Sequence, residues 1–61
     1  MSSLKTAVGI LKRILEQDMP LVIKSIMQDE ELPVDVKAEL VSDANTATRM
    51  LSILYGKVTG E

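Results

Sequence analysis

Between residues 40 and 58 the apolar side chains Leu40, Ala44, Ala47, Leu51, Leu54 and Val58 recur in steps of four and three. That spacing is the pitch of an α-helix, so all six share one stripe that another element must cover. The chain has 61 residues, near the lower limit for independent folding, which allows a single helical domain over residues 1–61 and leaves little interior. Domains of this size commonly add disulfides, a structural metal or a partner subunit. The sequence contains no cysteine and no histidine, so association is the remaining source of stability and a homo-oligomer is expected.

Seven Lys and Arg stand against nine Asp and Glu, a net charge of -2. Such a chain lacks the positive field that attracts a phosphate backbone, which disfavours general nucleic-acid binding. No apolar run approaches the roughly 20 residues that span a bilayer, and Met1-Ser2-Ser3-Leu4-Lys5 lacks the ordered regions of a signal peptide. A cytoplasmic location without membrane attachment is the expectation, in keeping with the absence of cysteine.

Leu4, Val8, Leu11 and Leu15 repeat at helical spacing, with Lys5, Lys12, Arg13, Glu16 and Gln17 on the other side. This predicts an amphipathic helix over about residues 3–17, capped by Ser2 or Ser3. Ile10 and Ile14 lie to one side of the leucine line and widen the apolar sector toward a second neighbour. Gly9, inside this helix, reads either as a mild defect on the solvent face or as a point of close approach. Pro20 then removes a backbone hydrogen bond, predicting a break, with Asp18 capping a second helix over 20–29, or a kink within one bent helix. The seam continues through Leu15, Met19, Val22 and Ile26 with no gap wider than one turn, which keeps the single bent helix open beside the break. Asp29, Glu30, Glu31 and Pro33 end that segment, and Pro33 suits the start of a third helix over about 34–56, closed by Gly56 with Val58 folded back on it. The tail from Thr59 to Glu61 is expected to fray.

The third helix is too long for one short helix to cover. Helices 1 and 2 therefore either lie end to end along it, forming a bent helical hairpin, or build a small bundle from which it projects. In both cases the fold is all-α, with three segments completed by oligomerisation. The core is expected from Leu11, Leu15, Val22, Ile26, Leu40, Ala44, Ala47, Leu51 and Leu54, with Ile10, Ile14, Met50 and Ile53 as interface candidates.

Catalytic kits are missing. The serines have no histidine to act as base, the glycines are isolated, and the carboxylates of Asp29, Glu30 and Glu31 form an open cluster without the turn glycine of a calcium loop. No enzyme activity, cofactor or metal is expected. Ser42, Asn45, Arg49 and Ser52 align as a polar face, and Arg49, Tyr55 and Lys57 are candidates for a ligand or partner surface. The stretch Ala-x-x-Ala-x-x-x-Leu-x-x-Leu-Tyr-Gly over 44–56 is loosely similar to the oligomerisation helices of small phage proteins such as terminase small subunits, but it identifies no family. The expected function is that of a small protein-binding regulator or adaptor that self-associates. One alternative is a helical oligomer that binds small anions or nucleotides. Another is a DNA-binding regulator of helix-turn-helix type, which the acids Asp35, Glu39 and Asp43 on the would-be recognition helix oppose.

Overall fold

The computed structural model describes the backbone of residues 2–60 and the side chains of residues 4–60, and within these residues every regular element is helical. Helix α1 (Ser2–Arg13) runs into a π-helical turn (Ile14–Asp18) and then into α2 (Met19–Gln28), after which α3 (Val34–Thr59) returns alongside all three. Because the connection at 29–33 is short, the two arms are antiparallel. The hairpin measures 45 × 15 × 13 Å. The bent-hairpin alternative therefore holds.

Pro20 does not break the first arm. Arg13, Asp18 and Met19 all keep right-handed helical angles across the junctions, and no capping bond forms from Asp18, which corrects the expectation of a new helix starting there. The Met19 N–H donates instead to the Ile14 carbonyl, five residues back. A proline ring in a regular α-helix collides with the carbonyl four residues before it. The wider π turn, placed immediately ahead of Pro20, opens the backbone where the ring needs room.

This turn also moves the seam. Up to the turn Val8, Leu11 and Leu15 face α3; one extra residue per turn then slips the phase, so Ile23 is half-buried while Val22 is 44% exposed. The expected line through Val22 assumed an uninterrupted α-helical period.

The tip is built from side chain to backbone. Asp29 leaves the helix in an extended conformation (ψ 126°), and its Oδ1 accepts from the N–H groups of Glu31 at 2.8 Å and Leu32 at 3.0 Å, an Asx turn that satisfies local donors. Pro33 sits just before α3 rather than inside it, and its carbonyl accepts the first helical bond, from the Lys37 N–H at 2.9 Å. At the far end Gly56 does not stop the helix. Glycine lacks a β-carbon but forbids nothing in the right-handed region, and α3 continues to Thr59, whose Oγ1 donates to the carbonyls of Tyr55 and Gly56. Gly60, at φ 85°, supplies the left-handed cap, a conformation that glycine adopts without steric cost. Val58 is thus a half-buried helical residue and not a folded-back cap contact. The backbone at Ser2 and Ser3 is already helical, while their side chains, along with Glu61, lie outside the described residues.

Little is enclosed. Among the described residues only Leu11, at 9% exposure, and Ala44, at 8%, are buried. Leu15, Ile26 and Leu51 are half-buried as expected of core positions, but Val22, Leu40, Ala47 and Leu54 are exposed. The reason is geometric: two cylinders touch along one line, so a single partner helix covers only half of a wide apolar sector. The radius of gyration is 14.0 Å, against about 10–11 Å for a compact domain of this length. The accessible surface is 4802 Å², about 900 Å² above the roughly 3,900 Å² typical of a folded monomer of this mass.

Candidate interaction surface

The sequence stripe on α3 divides lengthwise. Ala44, Leu51 and Val58 turn toward the first arm together with Lys37, Val41, Thr48 and Tyr55; every one of these seven is buried or half-buried. One residue back along the chain, Val36, Leu40, Asp43, Ala47, Met50, Leu54 and Lys57 form a parallel row, and every one is exposed. Both rows step by four and three, the period of a coiled-coil seam. One helix thus presents two adjacent seams, of which the hairpin covers one.

Helical phase places the uncovered seam on the same side of the molecule as Ile10, Ile14 and Val22. In an antiparallel pair, residues that precede the packed position by one on either helix rise on a common face. Ile10 and Met50 are 55% and 60% exposed, Ile14 is half-buried, and these three of the four interface candidates share this face. Ile53 lies about a quarter turn further round α3 from the seam, so it borders the face without belonging to its centre. Leu40, Leu54 and Val22, expected inside, belong to it instead. The seven-residue recurrence of Leu40, Ala47 and Leu54 was the sequence signal for this second seam.

The opposite side of the hairpin is different in kind. Leu15, Met19, Pro20, Ile23, Lys24, Met27, Gln28 and Thr48 line an open groove of about 510 Å³. A second groove of about 610 Å³ is lined by residues that include Met27, Val41, Ser42, Asn45 and Arg49. The polar stripe of α3 forms the wall of this second groove. Arg49 is exposed within it, Tyr55 is half-buried against the first arm and Lys57 is exposed on the seam side. The three point in different directions on one chain.

Lys37 has a structural use that spacing did not reveal. Its ammonium crosses the tip and donates to the carbonyls of Met27, at 3.2 Å, and Asp29. Met27 belongs to the last turn of α2 and Asp29 is its C-cap, positions whose carbonyls lack partners within a helix, and a cation at a helix C-terminus also opposes the negative end of the dipole. Among the described residues no group of acidic side chains has the arrangement of a metal site, and no helix is long and apolar enough to cross a membrane. The chain forms two long antiparallel arms, whereas the helices of a helix-turn-helix cross at about 90–120°. No family model, curated protein or solved structure matches this sequence.

Proposed function

We propose that this chain is a non-catalytic helical interaction module that self-associates through the face carrying Ile10, Ile14, Val22 and the Leu40–Leu54 seam, and works as a small regulator or adaptor by binding protein. The observation that carries this reading is the uncovered seam. Its aliphatic side chains are as large as those of the covered one, and exposed apolar surface on this scale marks protein contacts. The excess of about 900 Å² over a compact monomer resembles the roughly 800 Å² that each partner contributes to a standard interface. The absence of histidine and cysteine supports a binding role over a chemical one.

Sedimentation equilibrium tests the reading. The unmodified chain is expected at a multiple of its 6.7 kDa mass, and Ile14→Asp and Met50→Asp are each expected to shift it toward the monomer, because a carboxylate buried without a partner costs several kcal/mol. A monomeric unmodified chain, or variants with unchanged mass, would refute it.

A further inference from the structure

We propose that the covering element is a second copy related by a two-fold axis perpendicular to the arms, with α3 crossing the partner's α3 antiparallel at Ala47, so that two hairpins close one four-helix bundle. This rests on the self-association reading and assigns its geometry. Three observations carry it. First, the uncovered face spans both arms of the hairpin, and an isologous interface requires one patch to complement itself. A face of two seams, one from each arm, meets a copy of itself as the two halves of a bundle.

Second, the register is self-complementary. Counted back along both antiparallel arms from the tip, where the Lys37 ammonium reaches the Met27 carbonyl, Ala47 falls about level with Glu16 and Gln17 on the first arm. A two-fold axis at that level pairs each residue with one equally far beyond it in the partner. Leu40 then meets the partner's Leu54, and Ile10 meets the partner's Val22. Ala47, the smallest side chain of the exposed seam, stands on the axis, where the two α3 helices approach most closely.

Third, charge separates this arrangement from its rival. An axis parallel to the arms would lay α3 over the partner's first arm and would also match apolar residues, Leu40 with the partner's Val22 and Met50 with the partner's Ile14. It would bring Asp18 and Asp43 of both copies to one level of the interface, carboxylates facing carboxylates with no cation between them, an arrangement that costs affinity. The perpendicular axis sets the two Asp43 side chains about 12 Å apart along the bundle and the two Asp18 side chains about 6 Å apart, and it lets no Asp18 face the partner's Asp43. It also places Glu39 near the partner's Lys57 along the outer edge, an attractive pairing. In this assembly each copy's two grooves, one lined in part by Lys24 and the other by Arg49, face outward.

The chain has no cysteine, so single-cysteine variants report the arrangement directly. Ala47→Cys is expected to give a covalent dimer on oxidation, since a two-fold contact brings its β-carbons within disulfide reach, while Gln28→Cys, on the groove side, stays monomeric on a denaturing gel. If the unmodified chain sediments as a dimer but Ala47→Cys does not cross-link, the geometry is wrong and self-association stands. Cross-linking between Ile14→Cys and Met50→Cys chains in a mixture would then assign the parallel axis. A monomeric unmodified chain would overturn the geometry together with the reading beneath it.

Discussion

The two seams of α3 differ in a direction opposite to ordinary expectation. The covered row, Lys37, Val41, Ala44, Thr48, Leu51, Tyr55 and Val58, includes a cation, a threonine and a tyrosine; the uncovered row holds Val36, Leu40, Ala47, Met50 and Leu54, with charges at Asp43 and Lys57. A chain selected only to close on itself would gain most by covering its larger aliphatic row. The proposed self-association accounts for this as a division of labour: the bonds of Asp29 and Lys37 join the arms at the tip, and the open row is the surface that the proposed contact between chains would use. Hydrophobic stabilisation scales with the apolar area removed from water, so the open seam is the larger untapped source.

Substitutions on the two rows should separate these roles. Leu51→Asp places a carboxylate in the intrachain contact and is expected to cost several kcal/mol. Its circular dichroism should show loss of helix that higher protein concentration does not restore. Leu54→Asp, one turn away on the open row, is expected to weaken association by about two orders of magnitude or more, corresponding to roughly 3 kcal/mol, with helix recovering as concentration rises. Equal behaviour of the two variants would erase the distinction between the rows.

A smaller effect is expected at the tip. Lys37→Met keeps the aliphatic stem but removes the donor to the Met27 and Asp29 carbonyls, and should lower stability by about 1 kcal/mol, or some 4–8 °C in melting temperature for a domain of this size. No change would mean that water serves those carbonyls equally well. Smallest of all, Gly9→Ala should raise stability by up to about 1 kcal/mol through helix propensity, since a β-carbon there meets no atom within 4 Å, and should leave association unaltered. A loss of association in this variant would indicate that a neighbouring chain approaches closely at Gly9.

Composition and periodicity were enough to read an all-helical chain, the turn at 29–33, the start of α3 and the surplus of apolar surface. The division of the α3 stripe was harder to see, because Leu40, Ala44, Ala47, Leu51, Leu54 and Val58 average to one straight line at 3.6 residues per turn. Only when a partner helix occupies one side do alternate members turn in and out. Val22 was misplaced for a different reason: the extra residue of the π turn is a response to the Pro20 ring, and periodicity beyond it counts from a shifted origin. The end of α3 was misread because glycine permits a left-handed cap without compelling one, and Gly60 rather than Gly56 takes that conformation. Ile10, Ile14 and Met50 stood apart from the main stripes in the sequence, and the fold carries these three to one face of the hairpin. The bond from Lys37 across the tip depends on a fold-back that no local spacing encodes.

The dependence of thermal unfolding on protein concentration tests the central claim most directly, because a folded state completed by a second copy gains stability by mass action. Followed by far-ultraviolet circular dichroism over a thousandfold range of concentration, the melting temperature should climb steadily, and Leu54→Asp should melt lower than the unmodified chain at every concentration. A sharp transition at one temperature throughout that range would mean that the hairpin is stable alone and that its open seam has another use.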